Sequence, residues 1–342
     1  MKDIILNVLR EYHIPGVSYR NVTKKCAKVT CSAGNCFLLK ECNLYTEEKY
    51  KYLRGQSVDN ILYPLKNDNN KYVTKDGDHL FIVMPYVENN YTRDEVKANK
   101  LENELNKLHV NTSFRRELSP LTSRKKLEEI YNYLQYKFDV LEAFVRTIEA
   151  RNYDEYSILI LKEYHNILDA KMVMGNLNKK IVEHVKVRKT VDYTFVHNNP
   201  KLDHLLNTSE ADYLISIGRG KVGVPSLDLV KFYIETEDVN VDRKEMVMNY
   251  LQRFQDDFYF DYFCFFVLLY YIKSIIIYDK DYVSSQSFVY AGEAIKTFIT
   301  DFNLKWATRW LFILKMFSVC FNYTNLNIKT FTINFFLYFY YW

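Results

Sequence analysis

Apolar positions change their spacing near residue 87, and this change divides the sequence in two. Before residue 87, Val, Thr, Phe and Leu occur in short runs of the kind typical of strands. Beyond it, apolar residues recur every three or four positions over long stretches, which is typical of amphipathic helices. The pattern therefore predicts a small β-rich N-terminal part followed by a larger helical part.

The N-terminal part is predicted to be a helix followed by a small sheet that a second helix interrupts. The first twelve residues have apolar positions at helical spacing. The charged segment from Thr46 to Gln56 also has helical character, with Thr46 as its expected N-cap, and Lys75 to Asp78 supplies a turn. Strands are expected at 17–23, 26–32, 36–42, 61–65, 71–74 and 79–84.

The helical part is interrupted by two short strands, around 193–196 and 213–217, that enclose a polar loop. Residues 262–272 are continuously apolar, but a bilayer span needs about twenty residues, so we expect a buried helix there. Helices are expected at 94–109, 122–150, 155–187, 226–235, 241–254, 258–278 and 286–302.

These patterns predict an N-lobe at 1–87, a helical C-lobe at 88–305 and an aromatic tail at 306–342. The tail has no acidic residue and carries three basic residues among aromatics, which would suit a membrane surface or another protein. An unselected hydrophobic end in an A/T-rich gene would have the same composition. We assign the tail no role.

Composition indicates a globular chain of 342 residues, 48% of them apolar. The net charge of +4 is spread in both signs, which argues against a nucleic-acid partner, because such proteins usually concentrate basic residues on one face. The N-terminus lacks the apolar core of a secretory signal, so we expect folding in a cytoplasm.

The spacing of the six cysteines predicts no metal site, because no pair has the two-residue gap of a zinc knuckle. If Ser32 pairs with Cys36 at a hairpin tip, then Cys26 faces Cys42 across the ladder. A disulfide between them stays open as an alternative. Buried thiols are favoured, because the expected compartment is reducing.

The polar loop at 195–206 carries the most specific pattern, Phe-Val-His-Asn-Asn-Pro-Lys-Leu-Asp-His-Leu-Leu. It resembles the His-Gly-Asp-x-x-x-x-Asn loop of aminoglycoside and choline phosphotransferases, in which Asp deprotonates the acceptor and Asn holds magnesium. His197 is retained and is expected to hold the loop. Asn199 stands at the Asp position and His204 at the Asn position. An amide cannot accept a proton near neutral pH, so Asn199 cannot serve as the base.

Other segments resemble the same superfamily at matching places. Tyr213 to Arg219 matches the strand whose Asp chelates magnesium, with the neutral Ser216 at the Asp position. No Gly-rich phosphate loop precedes residue 26. Asp228 resembles the start of the next helix and is expected to be a structural anchor.

Lys40 ends a strand, as does the nucleotide-binding lysine of kinases, and the resemblance implies that Glu47 or Glu48 is its ion-pair partner. Leu38 replaces the small residue that lies against the adenine. Residues 81–86 resemble the hinge between the lobes. If a nucleotide binds, the resemblance implies contacts from Lys40, Met84 and Tyr86.

The opening at 5–23 resembles the spore-coat-associated kinase-like family (CotS/YsxE type) of the aminoglycoside/choline phosphotransferase-like superfamily, and 24–300 follows it in order and pattern. The resemblance implies an α+β, bilobal protein-kinase-like (aminoglycoside phosphotransferase-like) fold with a small β-rich N-lobe and a large helical C-lobe. It also implies a protein of endospore-forming bacteria. Such a protein is made in the mother-cell cytoplasm and assembled with other coat proteins into the spore coat.

The replaced positions favour a pseudokinase that acts as a structural or interaction component of the coat. We then expect no catalytic residue, metal or cofactor. The alternative is a phosphotransferase that uses ATP and magnesium, with Asp203 or Asp212 supplying relocated metal contacts. A third hypothesis is membrane contact through the tail.

Overall fold

The computed structural model describes residues 2–304 apart from 118, 152–153, 189, 255 and 279–280, so the predicted tail lies outside the described residues. Cα packing divides the chain into two units, Met1–Glu128 with Lys180–Val267 and Glu129–Lys179 with the chain from Leu268. The boundaries expected at residues 87 and 305 stay predictions.

A five-stranded antiparallel sheet forms the beginning of the first unit. Its strands are β1 (Gly16–Thr23), β2 (Cys26–Cys31), β3 (Cys36–Glu41), β4 (Thr74–Asp76) and β5 (His79–Pro85), in the order β1-β2-β3-β5-β4. Helix α1 (Lys2–Arg10) covers one face, because its apolar stripe packs on the alternate side chains that point to that face. This core contains Ile5, Val8, Leu9, Ala27, Val29, Leu39 and Val83.

The predicted strands at 17–23, 26–32, 36–42 and 79–84 are confirmed to within a residue, whereas the two expected at 61–65 and 71–74 need correction. Residues 61–65 form no strand, and Ile61 makes only an isolated bridge with Leu214. The strand expected at 71–74 begins at Thr74.

The helix that follows β3 is α2 (Thr46–Gly55), but its predicted cap is wrong. Tyr45 occupies the N-cap position without a side-chain bond. Asn43 Oδ1 instead accepts from Tyr45 N at 3.2 Å and from Thr46 Oγ1 at 3.0 Å. The side chain that caps this end therefore lies three residues earlier than the pattern indicated.

The predicted cysteine register is also wrong. Thr30, not Ser32, faces Cys36, and Cys26 faces Lys40. Gly34 has a φ of +81°, and such a left-handed residue ends a three-residue hairpin loop. That loop is closed by Cys31 N donating to Asn35 O. Both Cys26 and Cys42 are free thiols, and burial raises the pKa of each, that of Cys42 to about 11.

The rest of the first unit contains two further small sheets and several helices. Strands β6 (Phe114–Glu117), β7 (Thr190–Val196), β8 (Leu205–Asn207), β9 (Asp212–Leu214) and β10 (Lys221–Gly223) form the sheet β10-β7-β6 and the hairpin β8-β9. The strand expected to run to residue 217 ends at Leu214, because Ser216 has a left-handed φ of 63° that a strand cannot contain. The helices here are α3 (Asp94–Asn111), α6 (Ser226–Glu235) and α7 (Arg243–Leu251).

Helices α4 (Pro120–Glu149), α5 (Glu155–Val187) and α8 (Asp257–Ser274) have residues in both units, and α9 (Asp281–Asp301) belongs to the second. In the second unit, the Phe144 and Phe288 rings lie 5.9 Å apart and Lys137 Nζ donates to Ile275 O at 2.7 Å. The predicted buried helix at 262–272 is confirmed within α8. Among the described helices, none is both long and apolar enough to cross a membrane.

Candidate functional site

A cavity of about 470 Å³ lies in the first unit on the sheet face opposite α1. Strand alternation turns Leu39 towards α1, so Lys40 points the other way. We call this space the Lys40 cavity. It brings together four residues singled out from the sequence, namely Lys40, Asn199, His204 and Ser216.

Lys40 Nζ donates a hydrogen bond to Ser216 Oγ at 3.3 Å. Within the described residues it makes no ion pair. The expected ion pair of Lys40 with Glu47 or Glu48 is wrong, because Lys40 pairs with neither of them. Glu47 instead lies 3.1 Å from Lys51 and accepts from Val73 N. Lys40, which the sequence resemblance assigns to nucleotide phosphates, is therefore bonded to Ser216, which the same resemblance assigns to a metal-ligand position.

The segment after Ser216 is held against α2 by two further donors. Lys49 Nζ donates to Gly218 O at 2.6 Å, and Asn43 Nδ2 donates to the same oxygen at 3.1 Å. Burial lowers the pKa of Lys49. Residues 216–218 are thus fixed by three side chains from the N-terminal part.

The loop at 197–199 is anchored by Asp228, which is fully buried. Its carboxylate accepts from His197 N at 2.5 Å, Asn198 N at 2.7 Å and His109 Nε2 at 3.0 Å. Burial alone would raise the pKa of Asp228, but these donors outweigh it and hold that pKa below its ordinary value. The loop backbone is therefore tied to a permanent negative charge.

His109 joins this anchor to a second buried side chain. Burial lowers the pKa of His109, so its neutral form is favoured. A neutral ring that donates from Nε2 must accept at Nδ1, where the Tyr250 hydroxyl is the donor. The sequence pattern placed His109 at the end of a helix but did not indicate this role.

The two loop histidines are both held by carbonyl oxygens. His197 Nε2 lies 2.7 Å from Ile215 O, and His204 Nδ1 lies 2.7 Å from Asn199 O. Each nitrogen donates, because a carbonyl can only accept. Burial lowers the pKa of both rings, so the neutral forms are favoured.

Met84 and Tyr86 do not line the Lys40 cavity. Met84 faces Leu38 across the β3–β5 ladder. Tyr86 N donates to Cys36 O at 3.1 Å, and its ring lies 3.5 Å from Lys28 Nζ. The Tyr86 N–H therefore already has a hydrogen-bond acceptor within the sheet. The nucleotide contacts expected from Met84 and Tyr86 stay predictions.

The donor set around Lys40 does not fit magnesium, the ion used by phosphotransferases of this fold. Magnesium prefers hard oxygen ligands, usually including carboxylates, whereas Asn199, His204 and Ser216 offer an amide, an imidazole and a hydroxyl. The carboxylate among the described lining residues, Glu41, bonds Lys25 at 3.4 Å and His79 at 3.1 Å. Across the described chain, no cluster of three His, Cys, Asp or Glu is arranged to hold a metal.

Comparison with solved structures identifies the fold. An aminoglycoside phosphotransferase from Alicyclobacillus acidocaldarius is similar with a TM-score of 0.61 at 13% identity, over 89% of this chain and 96% of its own. The amicoumacin kinase hAmiN, solved with AMP-PNP, Ca2+ and Ami, is similar with a TM-score of 0.50 at 10% identity, over 86% and 93%. The choline kinase LicA from Streptococcus pneumoniae gives 0.46 at 15%, over 86% and 98%.

No family model matches the chain, and no curated protein matches it significantly. At such low identities the solved structures establish the fold alone. The chain has the α+β aminoglycoside phosphotransferase-like fold, with a small antiparallel sheet before a large helical part. This confirms the fold class predicted from the sequence.

Proposed function

We propose that this chain is a kinase-fold protein that does not transfer phosphate and serves as a structural or interaction component of a bacterial spore coat. The first half of the proposal is supported by the residues that line the Lys40 cavity. The second half, including its mother-cell origin and coat partners, is supported by the resemblance of residues 5–23.

The observation that carries the first half is the hydrogen bond between Lys40 and Ser216. A phosphotransferase needs Lys40 for the nucleotide phosphates and a carboxylate at position 216 for the metal. Here a neutral hydroxyl at that position bonds the lysine, and the base position holds Asn199. Burial of the apolar core stabilises such a scaffold whether or not it catalyses anything.

Calorimetric titration of the whole protein with ATP, with and without magnesium, tests this half. We expect no magnesium-dependent binding in the micromolar range, and no difference between the natural chain and a Lys40→Ala variant. Micromolar, magnesium-dependent binding that Lys40→Ala abolishes would overturn the proposal.

An active phosphotransferase with relocated ligands is the second candidate, favoured by the open volume beside Lys40. The acids that it would use are poorly placed. Asp212 lies 3.1 Å from Lys100 Nζ, and Asp203 is exposed; neither lines the cavity. Release of ADP from ATP in the presence of choline or an aminoglycoside, lost in Asp203→Asn or Asp212→Asn, would support this candidate.

The coat assignment needs its own test in the source organism. We expect the protein to appear in the extracted coat fraction of purified spores and to be absent from vegetative cells. Its presence in growing cells and absence from the coat fraction would contradict the assignment. If the tail instead binds membranes, the full chain should sediment with liposomes and a chain lacking residues 306–342 should not.

A further inference from the structure

A second cavity of about 470 Å³ opens in the first unit and shares no lining residue with the Lys40 cavity. We call it the arginine cavity. Its charged and hydroxyl-bearing walls include Arg115, Arg188, Asp192, Arg253, Asp256 and Tyr259.

Arg253 is a largely buried guanidinium whose bonding partners are neutral. It donates to Tyr250 Oη and to Asn106 Oδ1, and its Nε is buried without a hydrogen-bond partner. It forms no ion pair with a carboxylate of the described residues, although Glu102 attracts it from a greater distance. A buried cation without a direct counter-ion is costly, so an anion brought to this cavity would be stabilised.

The other two arginines already face carboxylates. Arg115 Nε lies 3.3 Å from Asp192 Oδ1, and Arg188 pairs with Asp256. Three guanidinium groups and two carboxylates leave the cavity with one excess positive charge. Arg115 is engaged through Nε and its side chain is 80% exposed, so its terminal amino groups can turn to a ligand.

The cavity is also preorganised. The Arg253 guanidinium lies 4.1 Å from the Tyr250 ring centre and 4.5 Å from the Phe254 ring centre. Tyr259 stacks on Phe254 at 4.1 Å and donates to Asp192 Oδ2, which holds that carboxylate at the wall. A ligand would therefore meet an Arg253 guanidinium that needs little reordering, whereas the exposed Arg115 would turn to it.

We propose that the arginine cavity binds a ligand that carries a phosphate group. The planar donor forks of arginine match the oxygens of a phosphate in pairs. The volume lies within the range of ordinary small-molecule sites, roughly 300 to 1,000 Å³. Arg253 supplies the buried charge and Arg115 supplies the donors at the mouth.

Titration of the whole protein with inorganic phosphate, pyrophosphate and glycerol 3-phosphate, at ionic strength matched with sodium chloride, tests the proposal. We expect at least one of them to bind, with affinity about tenfold weaker or more in Arg115→Gln and in Arg253→Gln. Preference for glycerol 3-phosphate would indicate a phosphate ester, and preference for the inorganic ions would indicate free phosphate as the source.

Arg124→Gln is the matched control, because Arg124 is exposed and pairs with Glu128 outside the cavity. If Arg253→Gln fails to fold, Arg115→Gln still tests the proposal, because Arg115 is exposed and its substitution should not disturb the fold. Absence of binding by all three probes, or unchanged binding in Arg115→Gln, would overturn the proposal. Binding lost in Lys40→Ala would also overturn it, since that result would assign the ligand to the Lys40 cavity.

Discussion

At the scale of single residues, two groups of side chains have separate tasks. Asp228, His109 and Tyr250 form a buried chain of hydrogen bonds that fixes the loop backbone. Asn199 and Ser216, the positions that the sequence resemblance identifies with kinase chemistry, are neutral side chains that line the Lys40 cavity. The geometry of the loop therefore does not depend on the groups that a catalyst would need.

Asp228→Asn should destabilise the protein by about 3 kcal/mol, because it replaces a buried charge that accepts from two backbone N–H groups and His109. Urea unfolding would measure the loss. The control is Asp203→Asn, an exposed acid of the same loop region, whose effect should stay within about 0.5 kcal/mol. Equal effects of the two substitutions would contradict the anchoring role.

Stability should fall as the pH is lowered from 7 to 5. Burial lowers the pKa of His109 and of His197 in the folded protein, whereas an unfolded histidine titrates near about 6.5. Below that pH the unfolded chain takes up protons that the folded chain does not, so the free energy of unfolding decreases. The slope should be roughly 1 kcal/mol per pH unit for each histidine.

Urea unfolding at several pH values would measure this slope. His197→Gln should make it shallower, because one buried imidazole is removed. A flat profile between pH 7 and 5 would show that these histidines do not titrate as their burial requires.

At the scale of helices and strands, hydrogen bonds from Lys49 in α2 and from Asn43 just before it hold the segment at 216–218 in place. Lys49→Met should remove the shorter of the two side-chain hydrogen bonds to Gly218 O and leave that of Asn43. The hydrogen-exchange rate of the nearby amides should rise, including that of Gly220 N, which bonds Ile217 O. The expected loss of stability is about 1 kcal/mol.

Lys51→Met is the matched control on the same helix, since Lys51 pairs with Glu47 and its side chain is 58% exposed. Exchange near Gly218 should be unchanged in that variant. A similar increase in both variants would mean that Lys49 does not hold the segment.

The sequence predicted elements well where burial alone determines them. The bounds of α5 and α6 agree with the pattern, because each helix has an apolar face that is buried along its length. The sequence pattern failed where a single backbone angle determines the register or the end of a strand. The left-handed Gly34 moved the hairpin register, and the left-handed Ser216 ended a strand early.

The sequence predicted four of the residues that line the candidate site but not their hydrogen bonds, and the expected Met84 and Tyr86 do not line it. The order of motifs indicated that Lys40, Asn199, His204 and Ser216 would meet, and they line one cavity. The partners of Lys40 and Glu47 depend on side-chain directions that periodicity does not encode. The arginine cavity had no signal, because its arginines come from segments more than 60 residues apart in the chain.

At the scale of the whole molecule, an aminoglycoside phosphotransferase-like fold carries a cavity in which the carboxylate among the described lining residues, Glu41, is paired with Lys25 and His79. The fold does not require phosphate transfer, because the apolar core and the hydrogen bonds to Asp228 do not involve the side chains of Asn199, His204 or Ser216. Under the proposed function, we predict that Asn199, His204 and Ser216 are the side chains that prevent this chain from binding a magnesium nucleotide.

Restoring the three positions together tests that statement. The variant combines Asn199→Asp, His204→Asn and Ser216→Asp, and aspartate tolerates the left-handed angle at position 216 better than most residues. We expect magnesium and ATP to raise the melting temperature of this variant but not that of the natural chain, since two carboxylates would then face one cavity with Lys40. The same triple variant with Lys40→Met should lose most of the shift. An equal rise in the melting temperature of the natural chain would show that its existing donors already hold magnesium. If the melting temperature of the triple variant does not rise, then residues other than these three also prevent binding.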